Sequence, residues 1–249
     1  MRNTIIVTVL LFIGVIATSI YYFRDINKEQ HNSLKPLKYL PESTFLIASI
    51  KNDEITDNIF KDFDLFDALL GEKEMQLIKK YKNQILRHEA LYEFIENQDV
   101  YISFHPEADS LNLLFTVPTS HTIEESDLTA LMQAYSQSFK ITTSDTLGQK
   151  ITALSFGNPD STLYTTYYQQ VIFASYAKST LISVLDKSKP KLSENQIDYF
   201  ISNNSKNTPL SIYFPHQQYS NIIKHFQQRE KGIFSDQFVG LEGQSAWNI

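Results

Sequence analysis

Residues 4–23, from Thr4 to Phe23, carry no charged side chain and are mostly apolar. A helix of that length, at about 1.5 Å rise per residue, crosses a hydrocarbon layer of about 30 Å. The run ends in Tyr21, Tyr22 and Phe23, followed by Arg24, residue types that sit well at the headgroup level. The pattern predicts a membrane-spanning helix, with 1–3 as a short cytoplasmic stub and the polar stretch 24–40 as a tether. The small residues Ala17-Thr18-Ser19 also offer a cleavage site of the signal-peptide kind. Against cleavage, Ile20–Phe23 continue the apolar run beyond it. Gly14 and Thr18 form a small-xxx-small pair, which lets two membrane helices approach closely; small residues facing lipid explain it equally well.

Beyond the tether the periodicity alternates between two and three to four. Thr44–Ile50 is an apolar, β-branched run and predicts a buried strand. A helix-like stretch from Asp53 through Ile55, Ile59, Phe60 and Phe63 ends near Gly71. Glu72–Asn97 predicts one helix, its stripe made by Ile78, Tyr81, Ile85, Tyr92 and Ile95, with His88 on the same stripe. Val100, Ile102 and Phe104 alternate with Tyr101, Ser103 and His105, predicting a half-buried strand. Leu111–Val117 returns beside it as a hairpin across His105–Ser110. Thr122 and Glu125 are spaced as a capping box ahead of a helix carrying Leu128, Leu131, Met132 and Tyr135. Strands are predicted at Gln149–Ser155, Thr162–Tyr168 and Gln170–Tyr176, with Gly157-Asn158-Pro159-Asp160 as the turn between the first two. A short helix follows around Leu181, Val184 and Leu185. Ser193 and Gln196 cap another that carries Ile197, Phe200 and Ile201. After the polar loop 202–208, Leu210–Phe214 is a strand, His216–Lys231 a helix and Gln244–Ile249 strand-like. The implied class is α+β: a transmembrane helix, then a mixed, mostly antiparallel sheet with packed helices.

Asn58–Phe63 (NIFKDF) and Asn221–Phe226 (NIIKHF) are similar, and each follows a strand by a similar distance. The expected organisation is an α+β domain over 41–207. Residues 208–249 then read as the start of a second related module, truncated at its C-terminus.

Composition narrows the function classes. The 249-residue chain has a net charge of −6, with 17 Phe, 14 Tyr, 7 Gly and no Cys. Abundant Phe and Tyr favour sheet. The absence of Cys removes disulfides, thiolate metal sites, cysteine nucleophiles and lipid acylation of cysteine. An acidic chain without basic clusters is a poor ligand for nucleic acid. With glycine so scarce, a phosphate-cradling loop is not expected; Gly240-Leu241-Glu242-Gly243 is not that motif, so no nucleotide is expected either. By count, Arg2 before the helix against Arg24, Lys28, Lys35 and Lys38 after it favours a cytoplasmic C-terminal side. Long domains translocate largely regardless of such charges, so a short stub followed by a long domain places that domain outside the cytoplasm.

No motif demands a particular chemistry. His105, Glu107 and Asp109 are the most ligand-like cluster, able in principle to hold Zn²⁺ or Ca²⁺, but they lie on a hairpin turn where such residues serve turn geometry and solubility. His216 and His225, nine apart on a predicted helix, point to opposite sides. Glu124 and Glu125 at a helix start match the helix dipole. Asp62 and Asp64 do not face each other on a helix, and no Gly-x-Ser-x-Gly or His-Glu-x-x-His motif occurs. Tyr164, Tyr167, Tyr168 and Tyr176 either present rings for contacts or sit half-buried with their hydroxyls in water. No residue is assigned as catalytic, cofactor-binding or metal-ligating, and no cofactor is expected.

Three phrases together resemble a bacterial family of membrane-anchored exported proteins, domain of unknown function 3352. They are Leu40-Pro41-Glu42-Ser43-Thr44 leading into a strand, the hairpin Val100–Val117, and Val171-Ile172-Phe173-Ala174-Ser175 with the helix Lys178–Asp186. The resemblance implies an exported α+β domain with no known catalytic residues. The expected function is a membrane-tethered envelope scaffold or adaptor acting through an envelope protein partner. The alternatives are an envelope hydrolase with a polar active site, or a glycan- or lipid-binding module.

Overall fold

The computed structural model describes residues 35–51, 72–96, 98–107, 110–155, 162–204, 208–216 and 243–248, with Val15, Ile16 and Thr18. Among these no helix is long and apolar enough to cross a membrane. The rest of the anchor read at 4–23, and the helices read over 53–71 and 217–231, lie outside the described residues, as do both copies of the short repeat.

The described chain opens with a 3-10 turn, Lys35–Tyr39, and strand β1 (Leu46–Lys51). Helix α1 (Glu72–Tyr81) runs into a π-helical turn, Lys82–Leu86, and α2 (Glu89–Ile95) follows. Then come β2 (Asp99–Glu107), β3 (Ser110–Pro118), α3 (Glu125–Ser136), β4 (Lys140–Thr146) and β5 (Gln149–Ser155). They are followed by β6 (Thr162–Tyr168), β7 (Val171–Ser175), α4 (Lys178–Leu185), α5 (Glu194–Asn203), β8 (Leu210–Pro215) and β9 (Gln244–Asn248). The nine strands among the described residues form one sheet, in the order β4-β5-β6-β7-β3-β2-β1-β8-β9. Every pairing among them is antiparallel. The α+β class therefore holds, with a large antiparallel sheet.

Helices cover both faces of this sheet. Strand alternation sends Val100, Ile102, Phe104, Leu113, Phe115 and Val117 to one face, where they pack with Tyr81, Ile85, Leu91, Phe94, Leu131 and Tyr135 from α1 to α3. The opposite set, including Ile47, Tyr101, Leu114, Val171 and Phe173, packs with Leu37, Leu181, Val184, Ile197 and Phe200. Strand β7 is buried at every position. The reading of β2 as half-buried is corrected by this arrangement: Tyr101 packs against Phe200 of α5, and Ser103 and His105, on the same face, are as buried as their neighbours. Alternation of apolar and small polar residues marks which face each residue takes, not whether that face meets water.

Several other boundaries move. The tether's end at 35–40 is folded into the domain, because Leu37 and Leu40 are buried in the second core. The helix read as continuous over 72–97 is broken. Arg87 N–H donates to the Lys82 carbonyl, closing a π turn, and His88 adopts an extended conformation as N-cap of α2. The break re-phases the stripe, so that Leu91, Phe94 and Ile95 are buried while Tyr92 is 41% exposed. Helix α3 starts two residues later than the Thr122 box implies. Glu124 is its N-cap, and its N–H donates to the Asp127 carboxylate at 2.9 Å. The Ser193–Gln196 capping box is present as read. Strand β4, KITTSDT, has no counterpart in the sequence reading; it is a polar edge strand, and its exposed face gives no apolar alternation. Residues 208–216 and 243–248 extend the same sheet, β8 pairing with β1 and β9 with β8.

Candidate functional site

The site that stands out among the described residues is a cleft of about 580 Å³ between α3 and the outer half of the sheet. Its origin can be read strand by strand. Thr143, Thr152 and Thr165 are direct cross-strand neighbours on β4, β5 and β6, and Ala174 on β7 is next in the row. Farther along, the same row continues with Phe115 and Ile102. Large side chains fill the space beneath α1 and α2, whereas three threonines and an alanine cannot fill it beneath α3.

Two tyrosine hydroxyls hold α3 above this floor. Near its start, the Tyr167 hydroxyl on β6 accepts the Ile123 N–H at 2.9 Å. Near its end, the Tyr135 hydroxyl donates to the Ile85 carbonyl in the π turn at 3.0 Å. Pinned at both ends, the helix does not settle onto the threonine floor. Leu128, Leu131 and Met132 form the roof, Leu154 and Ile172 part of the floor, and Ile85, Leu91 and Tyr135 the inner wall. Lys150 and Glu125 stand at the rim as an ion pair of 3.7 Å, with side chains 77% and 90% exposed. So open a pair adds little to stability. Gly148 and Gln149 complete the rim. Gly148 and Leu147 take φ of 71° and 56°, the two positive angles of the tight turn joining β4 to β5.

Chemically this is an apolar container with a polar mouth. Its described lining holds one carboxylate, Glu125, one ammonium, Lys150, and no histidine. Burial raises the Tyr135 phenol well above its ordinary range, so it remains a neutral hydrogen-bond donor.

The residues singled out from sequence are scattered. His105 lies on the opposite face of the sheet from the cleft. Its Nε2 is 2.8 Å from the Ser103 hydroxyl, its Nδ1 has no partner among the described residues, and burial pushes its pKa down to about 3. Glu107 ends β2, with its side chain outside the description, and Asp109 lies outside it altogether. No group of three metal-ligating side chains occurs among the described residues. His88 accepts the Ala90 N–H through Nδ1 and packs on the Tyr135 ring at 4.3 Å. His216 Nε2 is 2.7 Å from the Ser245 hydroxyl at the β8–β9 end; His225, Asp62 and Asp64 are outside the described residues. Glu124 and Glu125 begin α3 as expected. Tyr164, Tyr167, Tyr168 and Tyr176 are all half-buried: Tyr167 at the cleft, Tyr176 edge-on to Phe115, Tyr168 edge-on to Tyr39, and Tyr164 against the second core. The threonine floor was missed. Its signal, Thr at matching positions of three consecutive strands, needs the register of β4, a strand whose sequence does not announce itself.

No protein-family model matches the chain, and no curated protein matches it. Among solved structures it is similar to TP0453 in its crystal form I, with 10% identity and a TM-score of 0.38. That likeness covers 73% of this chain and 62% of the other, so the chain spans less than two thirds of that protein's length. A likeness of this strength carries no argument about fold or activity.

Proposed function

We propose that the chain is a single-pass membrane protein, anchored through 4–23, whose domain lies outside the cytoplasm and works by binding. The cleft under α3 is its seat, and the ligand is a molecule with a long apolar part. One observation carries this reading: a cavity of about 580 Å³ walled mainly by Leu, Ile, Met and Tyr side chains. Its volume falls within the roughly 300–1,000 Å³ typical of small-molecule sites. Apolar walls favour an apolar occupant.

The test is photolabelling of the full chain in lipid nanodiscs with a diazirine-bearing fatty acyl probe. Labels are expected on peptides from α3 and β5. The variant Thr152→Phe, which fills the floor, should lose them while still unfolding cooperatively. Labelling confined to 4–23, or unchanged by Thr152→Phe, refutes the reading.

A second reading, docking of an envelope protein partner, is favoured by β4. Among the described residues it ends the sheet, and its residues 142–145 are exposed, so its backbone edge, unpaired among those residues, is open to an added strand. In-cell crosslinking through a photoreactive residue at Thr142 distinguishes the two: a defined partner lost on Thr143→Pro supports strand addition, and no discrete product opposes it.

A further inference from the structure

The cleft under α3 is layered. Along β5 the residues that line it on the floor side are Lys150, Thr152 and Leu154, in that order. Lys150 is exposed at the rim, Thr152 is 7% exposed and Leu154 2%. The order from ammonium to hydroxyl to hydrocarbon is therefore also the order from mouth to interior. Successive residues of one strand face lie about 7 Å apart, which sets the spacing of the layers. The roof runs the same way: α3 sets Glu125 against Lys150, then Leu128, then Leu131 and Met132, and reaches buried Tyr135 at the inner wall.

Strand pairing widens the middle layer. Thr152 stands beside Thr143 of β4 and Thr165 of β6. None of the three hydroxyls has a hydrogen-bond partner among the described residues, each other included. The Thr116 hydroxyl on β3 is also without such a partner, but it is sealed from solvent. Those of Thr152 and Thr165 keep accessible surface, both residues line the cleft, and Thr143 is exposed. Valine has the same branched shape and would make an apolar floor without the polar atoms. The roof opposite, Leu128 and Leu131, offers these hydroxyls nothing to bond. An occupant that displaces water from them must reproduce its hydrogen bonds or lose affinity.

We propose that the cleft takes a single-chain acyl ester or amide, inserted chain first, with the carbonyl of its linkage on the hydroxyls of Thr152 and Thr165. The chain then lies against Leu131, Met132 and Leu154, and the head stays at the Lys150–Glu125 rim. The layers match such a molecule in order: head, neutral linkage, hydrocarbon. The group on the threonines is uncharged because the one ammonium of the described lining stands at the rim, and a carboxylate held on the threonines would be desolvated without a counterion. A free fatty acid placed with its carboxylate at Lys150 would instead lay methylenes over the hydroxyls. The cleft of about 580 Å³, at about 30 Å³ per non-hydrogen atom, the share a water molecule takes in its liquid, holds about 20 such atoms, one chain with its linkage. This inference rests on the binding role of the cleft and adds the chemical class of what it holds.

The test uses the full chain in nanodiscs carrying the acyl photoprobe. The competitors are 1-monomyristin, an ester, and 1-O-tetradecylglycerol, which has an ether in its place and no carbonyl. Each is titrated against wild type, Thr152→Val, Thr165→Val, the double variant and Thr152→Ser. The probe's own saturation is measured for each variant, and comparing variants in one lipid cancels partitioning. The ester concentration needed for half-displacement should rise about fivefold for each hydroxyl removed, one hydrogen bond of about 1 kcal/mol, while that of the ether stays constant. Thr152→Ser, which keeps the hydroxyl without the methyl, should behave as wild type. If ester and ether shift together, if neither shifts, or if Thr152→Ser loses the ester as Thr152→Val does, the threonine row does not read the linkage and the proposal is overturned. If neither competitor displaces the probe from wild type, the binding role of the cleft itself fails, an outcome distinct from loss of the ester preference alone.

Discussion

His105 should make this protein acid-sensitive by an amount that follows from its surroundings. The ring is 5% exposed, and the Ser103 hydroxyl beside Nε2 is its one described partner. Burial lowers its pKa to about 3 in the folded chain, against about 6.5 when unfolded. Between those values the unfolded chain takes up a proton that the folded chain refuses, so stability falls as pH drops below about 6.5. At pH 5 the loss is about 2 kcal/mol; above pH 7 this group contributes no slope. The comparison that isolates it is wild type against His105→Gln, which keeps a polar partner for Ser103 but cannot titrate. Urea unfolding of the full chain in mild detergent, followed by the near-ultraviolet circular dichroism of its tyrosines, would be run at pH 7.5 and pH 5.0. Carboxylates titrate in both proteins and cancel. Wild type should lose about 2 kcal/mol more than the variant over this interval. Equal losses would refute the reasoning, as would an NMR titration placing the His105 midpoint near 6.5.

Three further outcomes follow from the packing. Phe115→Ala, at a fully buried position stacked on Tyr81, should cost about 3–5 kcal/mol, read as a lower urea midpoint. Tyr135→Phe removes the bond to the Ile85 carbonyl, but that carbonyl keeps the His88 N–H at 3.2 Å; the loss should therefore be only about 0.5–1.5 kcal/mol by the same measurement. Leu147, 59% exposed with φ of 56°, precedes Gly148 in the β4–β5 turn. Leu147→Asn supplies the Asn-Gly pair such turns favour and should raise stability by about 0.5–1 kcal/mol, seen as a higher melting temperature.

Much of the fold is legible in local pattern. The apolar runs read as strands at 44–50 and 170–176, the hairpin of β2 and β3, and the Ser193–Gln196 box each satisfy a local rule; the strands form at 46–51 and 171–175, and the hairpin and the box are present. Four features are not legible, for identifiable reasons. Strand β4 is built from threonine, serine and charged residues, and its strand state comes from pairing with β5. The turn at Gln169-Gln170 has two positive φ angles without glycine or asparagine. It is held by tertiary bonds, Thr119 N–H to the Gln170 carbonyl and the Gln170 amide to Thr122. The break at Arg87–His88 lies within a stretch whose composition suits a continuous helix, and packing of His88 on Tyr135, distant in sequence, accompanies the re-phasing. The burial of Ser103 and His105 depends on tertiary packing over a face that the alternation in β2 alone would leave to water.

The candidate site lies wholly on the far side of that divide. By itself the sequence determined an apolar N-terminal stretch, an α+β succession of elements and the face each strand residue takes, because these depend on neighbours one to four positions away. Only the tertiary structure decided that Thr143, Thr152 and Thr165 lie side by side, that Tyr135 and Tyr167 hold α3 above them, and that Tyr81 and Tyr176 meet at Phe115. A cavity is a mismatch of side-chain volumes between elements far apart in the chain, and no local pattern carries that sum.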